Sequence, residues 1–277
     1  MNSSDSDKRV NMILYTLIIV LVGYATVSPI GLPIPVSQHT RTLYDFVETL
    51  NPGDTVYIGF DYGATNLAEI QPAAVALSWH CFSRDVRIIG AGTTTESGNM
   101  MNRVMDIVLK DFPDKEYGVD WVNIGYKGGT NAFFEAMGVS FINAAAGTDF
   151  QGNRIEDMPI LKNIKNYKDV KLAASMGSLG EGLSTYVKLI GVPHSIPVTG
   201  ACFAVSIPES MPLVVSGQLT GMIAGMKGAA EYEQLLQKPG SASVGMDAQS
   251  LTHVLIILFV IIGNVRYFLS RNKGGAS

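Results

Sequence analysis

Five residues stand out by type and by place: Asp61, Glu96, Lys127, Thr130 and Ser178. Each falls at or just after a short apolar run that ends in a glycine-bearing turn. One side of a parallel sheet would then gather two carboxylates, an ammonium and two hydroxyls. In an open α/β sheet that side, the carboxyl ends of the strands, is where ligands bind. Two acids within reach of one bond could divide the general acid and base roles that hydrolysis and group transfer need. Gly128-Gly129-Thr130-Asn131, opening a helix beside Lys127, could hold an anion on its N–H groups. The same residue types also serve the turns themselves, since strand-to-helix corners need glycine and a capping Ser, Thr or Asn. Taken singly, each residue is better explained by that structural role.

Spacing weakens other chemistries. Gly90-Ala91-Gly92 invites a dinucleotide reading, but the third glycine of that motif would fall at Thr95. There is no G-x-x-x-x-G-K-[ST], no H-E-x-x-H and no G-x-S-x-G. Ser178 lies in Gly177-Ser178-Leu179-Gly180, a turn placed like a nucleophile elbow but spaced differently, and a serine nucleophile also needs a base. His39 lies in a stalk, His194 in a loop, and His80 on an apolar helix where packing or capping suits it better. Cys81 and Cys202 could pair in an oxidising compartment, and their apolar surroundings suit two buried free thiols equally. No cysteine–histidine cluster points to a metal, and no cofactor is expected.

The elements that must position these residues follow a repeated grammar of apolar run, glycine turn and helical stretch. Strands are expected at 55–60, 86–90, 121–125, 170–175 and 196–199, and helices at 40–50, 67–82, 96–110, 131–137, 179–190 and 213–236. Continuous apolar strands alternating with helices imply parallel strands covered on both faces, hence a single doubly wound, mostly parallel α/β sheet domain. Residues 141–169 break the rhythm and read as an inserted loop with a short helix, placed to cover a sheet edge. The expected final helix carries Gly217, Gly221, Gly225 and Gly228 at intervals of four, four and three. Such a ridge would admit another backbone, either the domain's own sheet or a partner subunit.

At the ends the charge disappears. The chain of 277 residues is 47% hydrophobic but only 16% charged, against roughly 25% in an ordinary soluble domain. Residues 12–31 hold no charge and would span ~28 Å or slightly more as a helix, about a bilayer's hydrocarbon thickness. Residues 251–269 form a second span in which Arg266 can snorkel. The first segment is longer than a signal-peptide core and lacks a clean small-x-small cleavage site, which favours an anchor. Lys8 and Arg9 precede the first span, while Arg266, Arg271 and Lys273 lie at the end of the second. The positive-inside rule then places tails 1–11 and 270–277 in the cytoplasm. Stalk 32–50, domain 51–240 and linker 241–250 would lie outside. The net charge of −4 argues against nucleic acid as a partner.

Asn51-Pro52-Gly53-Asp54-Thr55-Val56, Gly125-Tyr126-Lys127-Gly128-Gly129, the stretch 225–233 and the stretch 245–250 together resemble a group of uncharacterised prokaryotic proteins. These are similar in holding one α/β domain between two membrane helices. The resemblance implies an architecture and no reaction. The expected function is a membrane-anchored, non-enzymatic binding or scaffold subunit, with membrane lipid and a partner membrane protein, or a second copy, as neighbours. The alternative is a membrane-bound extracytoplasmic hydrolase or transferase.

Overall fold

The computed structural model describes residues 3–28, 30–177 and 182–274. The chain divides into two bodies, one made of its two ends and the other running Ile34–Ala242.

The ends are helical: α1 covers Ser3–Val27 and the last helix, α11, covers Ser241–Gly274. Both are long and apolar enough to cross a membrane, over Val10–Val27 and Ser241–Val265. Ile13, Ile19 and Val20 of α1 and Ile257, Val260 and Ile261 of α11 are exposed, which is compatible with a surround of hydrocarbon rather than water. Residues 241–250 are not the expected linker but the opening turns of α11. Ala242, Met246, Ala248 and Gln249 are good helix formers, and only Gly245 opposes them. Asp247, in these turns, is buried and accepts three consecutive backbone N–H groups, from Ile30 (2.8 Å), Gly31 (2.8 Å) and Leu32 (3.0 Å). One carboxylate therefore closes the chain leaving α1 onto the start of α11.

The other body is built on a single all-parallel sheet of six strands. After α2 (Gln38–Glu48) come β1 (Thr55–Asp61), α3 (Leu67–Ser83), β2 (Arg87–Gly92), α4 (Ser97–Val108), β3 (Trp121–Tyr126), α5 (Thr130–Val139) and α6 (Phe141–Ala145). Then follow β4 (Leu172–Gly177), α7 (Leu183–Tyr186), a wider π-helical turn over Val187–Gly191 and α8 (Val192–His194). β5 (Val198–Cys202), α9 (Ile207–Val215), β6 (Ile223–Ala224) and α10 (Gly225–Leu235) complete it. The order across the sheet is β3-β2-β1-β4-β5-β6, which reverses direction between β1 and β4. Every residue of β1 and β4 is buried, as strands covered on both faces must be. Helices α2, α3, α4 and α10 pack together on one side, and α5, α7 and α9 line the other.

The core beneath α5 to α7 is aromatic. Tyr57, Phe134, Phe141, Tyr167 and Tyr186 are fully buried, and their rings meet at centroid distances of 5.0 to 6.2 Å. Burial of each is worth on the order of 2–3 kcal/mol. Phe141 and Tyr167 come from the insert, which also supplies Ile155, Ile160 and Leu161 to the core. The insert does cover an edge, because Phe150 N–H donates to the carbonyl of Asn123 on β3 at 2.8 Å.

The expected helix at 213–236 does not exist as one element. The chain leaves α9 after Val215, turns through Gly217 and Gly221 with φ of 73° and 72°, adds β6 to the sheet and restarts as α10. A left-handed residue cannot continue a right-handed helix, and these positions suit glycine for that reason. Gly221 is also pressed against α2, where an added Cβ would lie 2.3 Å from the His39 carbonyl oxygen. Gly225 is likewise left-handed, so Gly217, Gly221, Gly225 and Gly228 form no ridge on one helix.

Candidate functional site

The carboxyl ends of the strands hold Asp61, as expected, but as a buried structural acceptor. Its Oδ1 receives Thr93 N–H at 2.5 Å and Thr93 Oγ1 at 3.2 Å, and its Oδ2 receives the Tyr186 hydroxyl at 3.0 Å. Burial and the nearby carboxylate raise the Tyr186 phenol well above its ordinary pKa, so it stays a donor. Both residues are wholly buried. Gly59 makes the pairing possible, since a Cβ there would overlap the Tyr186 hydroxyl.

The neighbouring corners repeat the pattern. Glu96, at the corner between β2 and α4, accepts Ala64 N–H at 2.6 Å where β1 turns towards α3. Glu69, in the first turn of α3, accepts Ala204 N–H at 2.6 Å where β5 turns towards α9. Three crossover corners are thus each closed by a carboxylate of the protein itself. The strand order is the one in which dinucleotides bind at the reversal, with a pyrophosphate on the first helix's N-terminal N–H groups. The residues here do not fit that group. Asp61 and Glu96 bring negative charge to the two turns a phosphate would approach, and Gly59 and Gly92 are packed against Tyr186, Ser97 and Asp61. Gly90 packs against Met101 and Phe60, so Gly90-Ala91-Gly92 is a strand under a close helix.

The other expected ligands scatter. Lys127 Nζ donates to the Thr148 carbonyl at 3.2 Å, and burial, opposed by Asp149, holds its ammonium below the ordinary lysine value. Thr130 opens α5 after left-handed Gly129. Ser178 lies outside the described residues, as does Glu181. The described partners of Asp61, Glu96 and Lys127 are all different. Between the ends of β4 and β5 a cleft of about 40 Å³ is lined by Gly177, Cys202, Ser206, Glu209 and Ser210. Such a volume, bounded by the described residues, has room for a few waters.

Two histidine clusters look catalytic and are not arranged for it. His80 is buried between Glu48 (Nε2 to Oε1, 2.8 Å) and Tyr232 (Nδ1 to hydroxyl, 2.8 Å), stacked on Tyr44 at 4.7 Å. Burial, only partly offset by Glu48, lowers its pKa. Tyr232 is fully buried, so the relay ends inside the protein, in keeping with the packed role expected for His80. Ser37 Oγ lies 3.0 Å from His39 Nε2 and 2.5 Å from Glu231 Oε2. The Ser37 hydroxyl donates to the Glu231 carboxylate and also lies 2.9 Å from Thr40 Oγ1, so its one proton is directed at the carboxylate rather than at His39. Cys81 and Cys202 are unpaired and buried, and burial pushes their thiols up to about 12 and about 11. Among the described residues no group of acids, histidines and cysteines could hold a metal ion.

The sequence reading passed over Tyr186 and Glu69. Glu69 carried a signal, an acid in the first turn of a helix, whereas nothing local marked Tyr186. Compared with family profiles, curated proteins and solved structures, the chain matches none.

Proposed function

We propose that this chain is a two-pass membrane protein whose α/β body is a non-enzymatic binding or scaffold subunit of a larger membrane complex. Both termini lie in the cytoplasm and the body outside. The observation that carries the non-enzymatic reading is the use of Asp61, Glu96 and Glu69 to hold the protein's own backbone N–H groups. An enzyme of this fold keeps such groups convergent and open to substrate. The orientation is supported by Lys8 and Arg9 ahead of the first apolar helix and by Arg266, Arg271 and Lys273 at the end of the second.

Mild-detergent extraction, chemical crosslinking and mass spectrometry test the role. The expected result is a membrane protein co-eluting at fixed stoichiometry; elution as a lone monomer overturns it. A membrane-impermeant thiol reagent tests the orientation on single cysteines at Asp5, Glu116 and Ser277. Position 116 alone should react in intact cells, and the opposite pattern overturns the assignment.

A further inference from the structure

A cavity of about 350 Å³ lies on the helical face formed by α3, α4 and the end of α10, away from the strand ends. Its volume is at the lower end of those that take small ligands. Val75, Ala76 and Trp79 of α3 form one wall, and Ile107 and Val108 of α4 face them, with Leu236 closing the end. Ile107 is 42% exposed, which leaves the apolar lining in contact with solvent.

The rim is charged and ordered. Asp111 accepts Trp79 Nε1–H at 2.9 Å and pairs with Lys238 at 2.7 Å, while Lys238 Nζ sits 5.3 Å from the Trp79 ring centroid. Trp79 is thereby fixed with its ring towards the cavity. Lys238 is neutralised by Asp111. Lys110, exposed on the same rim, makes no ion pair among the described residues. Glu233, Pro239, Gly240 and Ser241 complete the wall. The Glu233 carboxylate accepts Gly240 N–H at 2.9 Å and Ala242 N–H at 3.1 Å. Ser241 is the first residue of α11, whose stretch to Val265 is long and apolar enough to cross a membrane. Tryptophan and lysine beside the first residue of an apolar helix are the side chains that collect at a membrane–water interface.

From this we infer that the cavity is a lipid site, taking one acyl chain of an anionic phospholipid while Lys110 meets its phosphate. The inference rests on the membrane reading above, because a bilayer is what puts acyl chains within reach of Ser241.

The chain has two tryptophans, Trp79 and Trp121, so Trp121→Phe leaves the cavity residue as sole reporter. The experiment titrates the full chain, in neutral detergent, with phosphatidylglycerol brominated on its acyl chains, which quenches tryptophan on contact. Saturable quenching of Trp79 is expected. Val75→Phe, which fills the cavity, should weaken it about tenfold. Lys110→Gln should remove a preference of about threefold for phosphatidylglycerol over phosphatidylcholine. Circular dichroism of each variant identifies misfolding, and Ile107→Phe fills the opposite wall if Val75→Phe does not fold. Absence of saturation, or quenching indifferent to both filling variants, overturns the site. Carbonate washing of membranes separates the two readings. A chain that stays in the pellet but shows no specific quenching loses the lipid site alone. A chain released to the supernatant loses the membrane anchor, and quenching by the brominated lipid that still responds to cavity filling then stands as a lipid site on a peripheral protein.

Discussion

The strand ends and the cavity beside α3 and α4 are opposites. At the strand ends, charged groups are abundant and committed: Asp61 to Thr93 and Tyr186, Glu96 to Ala64, Glu69 to Ala204. Beside α3 and α4, apolar walls of Val75, Ala76, Ile107, Val108 and Leu236 enclose space under a rim of Lys110, Asp111, Glu233 and Lys238. Residues capable of chemistry do not make a site when their lone pairs are already used. Space bounded by ordinary side chains can make one.

Several measurements would break or sharpen this contrast. The largest effect is expected at Asp61. Asp61→Ala strips a buried hydroxyl and a buried backbone N–H of their acceptor, and should cost about 3–5 kcal/mol in denaturant unfolding of the detergent-solubilised chain. A well-folded Asp61→Ala protein of unchanged stability would mean that the carboxylate is held for another purpose.

Next is pH. The folded pKa of His80 lies below its ordinary 6.5, so the folded state keeps it neutral where the unfolded chain takes up a proton. Its contribution is complete above about pH 7 and is lost as pH falls through 6.5 towards the folded value, with a slope of up to about 1.4 kcal/mol per pH unit. His39 and His194 shift the same way, chiefly through burial, so the whole protein should lose stability on mild acidification. His80→Gln should flatten the profile in part, and a profile unchanged by that substitution would contradict the buried neutral imidazole.

Glu96→Ala is expected to cost under about 1 kcal/mol, the size of a lost N-terminal cap. It frees the Ala64 N–H, so millimolar phosphate or sulfate should raise the melting temperature of this variant more than that of the parent. An identical anion response in both would show that the glutamate does not pre-empt the corner. The smallest effect is expected at the thiols. With Cys81 and Cys202 buried and their pKa values at about 12 and about 11, a maleimide at pH 8 should label neither until denaturant is added.

Much of the fold was legible because its signals are local. The runs beginning at Thr55, Val86 and Trp121 are mostly apolar and bounded by glycine, and each became a parallel strand buried along most of its length. The misreading at 213–236 has a clear cause. Gly217, Gly221 and Gly225 recur at helical spacing, yet all three are left-handed, and the contacts of Gly221 with α2 and of Gly225 with Glu69 and Ala204 come from parts of the chain distant in sequence. Residues 241–250 were misjudged because a run of small and polar residues reads as a connection until Asp247 finds its N–H partners 215 to 217 positions away. At the candidate site the residue types and corners were legible, but whether Glu96 faces a ligand or Ala64 depends on how two loops meet. The cavity left almost no trace, since Val75, Ile107 and Leu236 look like any other apolar positions on a helix.

The clasp between Asp247 and the N–H groups of Ile30, Gly31 and Leu32 also constrains biogenesis. When the first helix leaves the ribosome, its clasping partner has not yet been synthesised. Three peptide donors must wait, solvated or held by another protein, while the entire intervening polypeptide is made. The hairpin can lock only once Asp247 has been made, so a nascent chain arrested before Asp247 should remain loosely integrated and open to quality control.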